Sequence, residues 1–383
     1  MQETLTRKEL DELIRSVFSP RPGDCRLAIL VDLPDHTAPD NENWMRRRTL
    51  AAEWHKALCA RPPAPVEEVH LILYPNIHSN NADLPEQAFL FASPPGEPLQ
   101  PETLSGCAAR EMTALLGDHP LIMAITEFSA TAPLKILATR FGFRAATMPG
   151  FSAAMIPALR LDYKDINRRV VQIKACLDPA DVMDISFTVD GKDTHDFHID
   201  LQNRQAHVSG GRFPDPGMAG NLPSGECYIV PYEGEGTVAS RTHGILPVQF
   251  KDEVVLYQVH ENRAVRILSK GVFSRQEKKK IEKEPAYGNI AEIGFGVLRD
   301  FGIQPVGEML LDEKLGLHIA FGRSDHFGGT TGVRNFTSPE QVVHIDRIYI
   351  PEIQNRIHVD EVVVRHNRSR SRTIMRNGQY TIF

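Results

Sequence analysis

The sequence lacks the features that would place a chain in a membrane or on nucleic acid. It has no apolar run of the about 18 residues that a membrane-spanning helix needs. Its first residues, MQETLTRKELDELIRSVF, contain no apolar stretch typical of a secretory signal peptide. The formal net charge is −6, so no overall basic field attracts a polyanion. These absences predict a cytoplasmic protein with neither a membrane nor a nucleic-acid partner.

Cysteine is also scarce, and its positions are scattered. Closely spaced pairs would predict a zinc site of the CxxC type, and a conserved-looking even set in a short chain would predict disulfides. The chain has neither, which fits a reducing cytoplasm. The cysteines are Cys25, Cys59, Cys107, Cys176 and Cys227.

The order of apparent strands and helices predicts two domains in the 383 residues. In the first part, apolar strands such as CRLAILVDLP and EEVHLILYPN alternate with helices, which is typical of βαβ units. Later segments read as successive strands joined by Gly, Asp and Asn turns. We therefore predict an α/β domain with a mainly parallel sheet over residues 1–180. An α+β, β-rich domain that carries a metal site follows over residues 181–383.

Two helix starts show the pattern of a capping box, in which a serine or threonine precedes a glutamate by three residues. One is Thr6 with Glu9, and the other is Ser274 with Glu277. The second helix carries three consecutive arginines, Arg46, Arg47 and Arg48. We expect them on a solvated face, with the alternative that one of them reaches a substrate carboxylate.

Carboxylates and imidazoles lie inside or beside apolar runs of the second half, where a buried charge is costly unless it is paired. VVHIDRIYIP reads as a strand, so His344 and Asp346 share a face. One such residue alone is most often a strand-edge charge in solvent. Together they make the oxygen and nitrogen donor set of a Zn, Mn, Co or Fe site. The candidate ligands are Glu226, Glu292, His318, His344 and Asp346.

The segments NLPSGE, AEIGFG, HIAFG and HID, in this order, resemble the aminopeptidase T family of metallopeptidases. The resemblance implies that the five candidates hold two divalent ions, Zn, Co or Mn, in a cavity enclosed by a homodimer. It implies hydrolysis of an N-terminal peptide bond or a related amide bond by a metal-activated water. Glu226 or Glu292 would bridge the ions or act as the general base, and we favour Glu226 as the base.

The chain departs from this family at HIAFGRSDHFGG. The family carries a tyrosine near the metals a few residues after the histidine, where this chain has Asp325 followed by His326. Asp325, His326 and Arg323 are therefore candidates for substrate contact, unless Asp325 and His326 are solvent-facing turn residues. The missing tyrosine leaves open a non-catalytic metal- or ligand-binding member in a biosynthetic pathway. Glu233 and Glu235 are expected in a turn at the rim of the cleft.

A second resemblance leads to a different reaction. The C-terminal half is similar to the dihydroxypyridine ring-cleaving dioxygenases, which hold one iron with two histidines and a carboxylate. His318, His344 and Asp346 match that set, so one Fe(II) is the alternative cofactor. The glutamate at position 292 favours the two-metal site of the hydrolase.

Overall fold

The computed structural model describes residues 3–94, 99–105, 107–366 and 370–383, and the chain forms two compact units. The chain up to Asn167 forms the first unit together with Ser209–Ser224, and Arg168–Val208 with Gly225–Phe383 forms the second. The sequence placed one boundary near residue 180. In the structure the chain passes from the first unit to the second after Asn167, within the helix Tyr163–Leu177, and returns to the first unit for Ser209–Ser224.

Helices and strands alternate early in the chain, and strands dominate later. The helices are α1 Arg7–Phe18, α2 Glu42–Ala60, α3 Met112–Gly117, α4 Thr131–Phe141, α5 Ile156–Leu159, α6 Tyr163–Leu177, α7 Val272–Lys283 and α8 Met309–Asp312. The strands are β1 Arg26–Leu33, β2 Glu68–Pro75, β3 Gln87–Phe91, β4 Arg110–Glu111, β5 Leu121–Ala124, β6 Arg144–Thr147, β7 Val182–Val189, β8 Asp193–Asp200, β9 His207–Ser209, β10 Ala219–Asn221, β11 Glu226–Ile229, β12 His243–Phe250, β13 Glu253–His260, β14 Arg263–Ile267, β15 Ile290–Gly296, β16 Leu317–Gly322, β17 His344–Ile348, β18 Ile357–His366, β19 Arg370–Arg376 and β20 Gln379–Tyr380.

The first unit contains sheet A, whose strand order is β10-β6-β5-β1-β2-β3-β4. Strands β10, β6, β5, β1 and β2 run parallel, and β3 and β4 add antiparallel strands at one edge. In β1, RLAILVDL, every residue after the first is buried, as expected for a strand covered on both faces. The sheet is therefore mixed. The βαβ pattern predicted its parallel strands β1, β2, β5 and β6, and β10 adds a further parallel strand next to β6.

The capping box at the start of α1 is confirmed. The amide of Glu9 donates to Thr6 Oγ1 at 3.3 Å, and the amide of Thr6 donates to Glu9 Oε2 at 2.7 Å.

The prediction of a solvated face for the three arginines of α2 is wrong for two of them. Arg47 and Arg48 are buried, and Arg48 makes a two-point ion pair with Asp40, at 2.9 and 2.7 Å. The charge of a buried guanidinium is tolerated because the carboxylate matches its planar fork.

The second unit contains two further sheets, in which β11, β15, β16 and β17 of one and all the strands of the other pair antiparallel. Sheet B has the order β17-β16-β15-β11-β9, and sheet C has the order β14-β13-β12-β8-β7-β18-β19-β20. Strand β7 alternates between buried and partly exposed residues, which is typical of a sheet with one face on the core. Among the residues that the structure describes, no helix has the length and apolar character to cross a bilayer.

Helix α7 begins at Val272, so the capping box predicted at Ser274 and Glu277 is wrong. The amides of Phe273 and Ser274 donate instead to the carboxylate of Glu253, at 2.9 and 2.7 Å. Glu253 lies at the start of β13 and is distant in sequence, so the local pattern could not reveal it. Glu277 faces inward and accepts a hydrogen bond from the Tyr257 hydroxyl at 2.8 Å.

Candidate metal centre

One face of sheet B brings all five candidate ligands together. In an antiparallel pair, residues directly opposite each other point to the same face. The register pairs Glu226 with Gly296, Gly294 with His318, and Ala320 with both Glu292 and Asp346. His344 lies opposite Gly322. The shared face therefore follows from the period of two in four strands: it carries Glu226 on β11, Glu292 on β15, His318 on β16, and His344 and Asp346 on β17.

Glycine at two positions makes room for this arrangement. A Cβ atom at Gly294 would lie 1.9 Å from His318 Nε2, so only glycine lets the imidazole lie over β15. Gly322 has φ +103°, and a Cβ there would lie 2.2 Å from the carbonyl oxygen of Val343. Strands β16 and β17 can therefore approach closely beside His344.

Glu292 lies at the centre of the cluster. Its Oε1 is 3.3 Å from His318 Nε2, and its Oε2 is 3.4 Å from His344 Nε2. His344 Nε2 is 3.6 Å from Asp346 Oδ1, and His318 Nε2 is 3.6 Å from Glu226 Oε2. Two groups result, Glu226–Glu292–His318 and Glu292–His344–Asp346, and in each the potential ligand atoms lie within 4.8 Å of one another. Glu292 belongs to both groups.

The orientation of the histidines fits metal binding. His344 Nδ1 lies 2.7 Å from the carbonyl oxygen of Arg323, and His318 Nδ1 lies 3.3 Å from that of Gly316. A carbonyl oxygen only accepts, so each Nδ1 carries the hydrogen, and each Nε2 faces the carboxylates. A histidine that ligates a metal has this arrangement, with the second nitrogen donating to a backbone carbonyl.

The electrostatics of the cluster favour a cation between these groups. Burial disfavours the charge of Glu292, yet hydrogen bonds to His318 and His344 hold its pKa well below the ordinary value. Burial would lower the pKa of His318, but Glu292, Asp346 and Glu226 raise it to about 9. The pKa of His344 is raised for the same reason by Asp346 and Glu292. The buried carboxylates therefore favour positive charge between them and the imidazole Nε2 atoms, and protons or a metal ion can supply this charge.

A buried lysine that no sequence pattern reveals adjoins the cluster. Lys314 lies in a short 3-10 turn, Glu313–Leu315, and is 1% exposed. Its Nζ lies 2.6 Å from Glu226 Oε1 and also contacts the Glu313 carboxylate. Burial raises the pKa of Glu313 to about 8, with a further contribution from Glu226, although Lys314 lowers it. The segment LDEKLGLH gave no periodic pattern that would show this lysine to be buried.

Tyr228 brings a phenol to the face that carries the ligands. It follows Glu226 by two residues on β11 and lies opposite Gly294. Its ring is 4.9 Å from the ring of Phe327, which is 5.3 Å from the His344 ring. Burial raises the pKa of Tyr228, and the charges of Glu292 and Glu226 raise it further. The signal for this residue was its spacing from Glu226, which predicts a common face.

The three candidates for substrate contact surround the outer edge of His344. Asp325 and His326 form an exposed turn, and the ring of His326 is 5.3 Å from that of His344. About a third of the His326 side chain is exposed, and the partial burial of its ring lowers its pKa to about 4, with a further decrease from the neighbouring His344. The Arg323 side chain pairs with Asp325, and its carbonyl accepts from His344. Their role in contacting a substrate stays a prediction.

Glu233 has a structural role that the sequence did not indicate. Its carboxylate accepts hydrogen bonds from the hydroxyl of Ser324 at 2.5 Å and from the hydroxyl of Thr330 at 2.6 Å. It also accepts from the amide of Thr331 at 3.1 Å and from the side chain of Asn289 at 2.6 Å. Glu233 therefore holds the segment from Ser324 to Thr331 beside the cluster.

The comparisons with known proteins bear on the fold. No family model and no curated protein sequence matches the chain. The chain is similar to the structure of 2,5-dihydroxypyridine dioxygenase from Pseudomonas putida, with 13% identity, 98% of both chains covered and a TM-score of 0.62. It is also similar to AmpT (aminopeptidase T) from Thermus thermophilus, with 15% identity and a TM-score of 0.51, over 98% of this chain and 100% of that chain. These likenesses establish a distant relationship in fold. The fold is thus one that two different enzymes share.

Proposed function

We propose that the chain is a metal-dependent hydrolase that cleaves an N-terminal peptide bond or a related amide bond. The observation that carries the proposal is the position of Glu292, whose two oxygens each face the Nε2 atom of a histidine. A carboxylate that faces two imidazoles supplies the donors with which hydrolytic enzymes hold one or two divalent ions. The sequence resemblance to the aminopeptidase T family leads to the same reaction.

The donor set fits Zn²⁺, Co²⁺ or Mn²⁺, since it consists of carboxylate oxygens and imidazole nitrogens. Glu292, His344 and Asp346 would hold one ion, and Glu226, Glu292 and His318 form the second group. A bound divalent ion would lower the pKa of a coordinated water towards about 7 and polarise the substrate carbonyl.

The remaining work falls to side chains of this chain. Glu226 is the proposed general base: Lys314 binds its Oε1 at 2.6 Å and fixes its orientation, while Oε2 faces the cluster and is free to take a proton. Tyr228 would donate a hydrogen bond to the oxygen on which negative charge develops, in place of the family tyrosine. Arg323, Asp325 and His326 would contact the substrate at the exposed edge.

The test is a comparison of Glu292→Gln with wild type. We expect the variant to lose bound Zn²⁺. We expect its kcat/KM for aminoacyl p-nitroanilides to be at least about 100-fold lower than that of wild type. Glu282→Gln is the control, because Glu282 pairs with Lys278 on the surface of α7. Full activity in Glu292→Gln would rule out the proposal. Bound metal without turnover of any amide would favour the non-catalytic member of the family.

The second candidate function is ring cleavage with one Fe(II) on His318, His344 and Asp346. The observation in its favour is that both histidines direct Nε2 into the cluster, where two imidazole nitrogens and a carboxylate could hold one iron. Glu292 weighs against it, because its carboxylate lies between the two Nε2 atoms. Oxygen uptake by the Fe(II)-loaded protein with a dihydroxypyridine would overturn the hydrolase proposal.

The homodimer and the cytoplasmic location belong to this proposal as well. Light scattering coupled to gel filtration would test the dimer, which would have twice the 42.9 kDa mass of one chain.

A further inference from the structure

Lys314 makes the two ligand groups unequal. Its ammonium lies 2.6 Å from Glu226 in the first group. The carboxylates of both groups pair with a histidine, but only Glu226 in the first group also contacts an ammonium. Buried carboxylates in both groups need positive charge, and in the first group a fixed ammonium already supplies it.

The backbone holds the ammonium at this place. A Cβ at Gly296 would lie 2.1 Å from the carbonyl carbon of Lys314, so the turn that carries Lys314 packs directly on β15. The amide of Gly296 donates to the carbonyl oxygen of Gly316 at 2.8 Å. Lys314 itself is 1% exposed, so its charge has no route into solvent without a change in this packing.

We propose, on the basis of the hydrolase proposal above, that Lys314 takes the place of a second divalent ion. The chain then holds one ion, bound by Glu292, His344 and Asp346, and the Glu226 group binds the lysine ammonium instead. A divalent ion in the Glu226 group would lie a few ångströms from a like charge in a poorly screened interior. It would also compete with Lys314 for Glu226.

Glu313 gives Lys314 a second carboxylate contact but does not free Glu226. Lys314 Nζ contacts the Glu313 carboxylate and Glu226 Oε1 at the same time, so the ammonium lies between the two carboxylates. An ion bound to Glu226 would therefore still lie a few ångströms from the ammonium.

The first experiment counts ions. Apo-protein is dialysed against one buffered free Zn²⁺ concentration, and zinc per chain is measured by elemental mass spectrometry for wild type and Lys314→Met. We expect one Zn²⁺ in wild type and two in the variant. Lys280→Met is the matched control, since Lys280 Nζ also lies 2.6 Å from a buried glutamate, Glu277, and it should bind one. Two Zn²⁺ in wild type, or one in a folded Lys314→Met, would overturn the inference.

A second pair of variants does not depend on the folding of Lys314→Met. Glu226→Gln should retain one Zn²⁺ with affinity within a few-fold of wild type, whereas Glu292→Gln should lose it. Loss of Zn²⁺ from Glu226→Gln would overturn the inference, because the ion would then need the first group. The outcomes are separable from those of the hydrolase proposal: two ions in wild type contradict only the single-ion inference, while absence of any bound ion contradicts both.

Discussion

Tyr228 lies two residues after Glu226, the proposed general base, on strand β11. Tyr228 shares the ligand-bearing face with Glu226 and Glu292, and the proposed hydrolysis assigns to its hydroxyl the hydrogen bond to the developing oxyanion. Tyr228→Phe should lower kcat for aminoacyl amides by about 10- to 1000-fold and leave KM and the zinc content near wild type. The measurement is steady-state kinetics on the Zn²⁺-loaded protein.

The control for Tyr228→Phe is Tyr349→Phe, which removes a phenol that donates to the carbonyl oxygen of Pro247 at 2.9 Å. It should cost about 1 kcal/mol of stability and leave kcat unchanged. If Tyr228→Phe had the same kcat as wild type, the proposal that Tyr228 serves in place of the family tyrosine would be wrong.

At the scale of single residues, the sequence revealed what a period of two can reveal. His344 and Asp346 share a strand, and their common face was predictable from VVHIDRI. The position of Lys314 was not predictable, because it lies in a 3-10 turn and meets Glu226 from 88 positions away in the chain. The burial of Arg48 likewise depends on its pairing with Asp40, which the helical pattern does not contain.

At the scale of elements, a helix start shows how a distant carboxylate replaces a local cap. Glu253 accepts hydrogen bonds from the first amides of α7, and a carboxylate there also interacts favourably with the helix dipole. Glu253→Ala should therefore lower the free energy of unfolding by about 1–2 kcal/mol, measured by urea denaturation. Glu282→Ala on the exposed surface of the same helix should change it by less than about 0.5 kcal/mol. Equal losses in the two variants would contradict a capping role for Glu253.

Elements with a strong pattern were predictable, and elements defined by their partners were not. The apolar strand β1 and the alternating strand β7 follow from their own residues. Strand β10, Ala219–Asn221, is too short and too small in its side chains to show a pattern, and it exists because it pairs with β6. That pairing returns Ser209–Ser224 to the first unit, which a boundary drawn from sequence alone could not anticipate.

At the scale of the whole molecule, the ligand groups belong to one compact unit. All five candidate ligands lie in the second unit, on β11, β15, β16 and β17, while the first unit has its own core around sheet A. A ligand that binds only the folded state stabilises it by about 2.7 kcal/mol at 100 times its Kd. Segments that open locally without releasing the ion gain none of this protection.

Hydrogen exchange with and without Zn²⁺ should therefore divide the chain. We expect Zn²⁺ to slow exchange in β15, β16 and β17, and to leave β1, β2 and β5 of sheet A nearly unchanged. Glu292→Gln is the control and should show no response to Zn²⁺, because it removes the carboxylate that both ligand groups share. Equal slowing in both sheets would mean that the two units open as one cooperative body. No slowing in sheet B at a Zn²⁺ concentration that saturates the protein would place the ion elsewhere and refute the candidate metal centre.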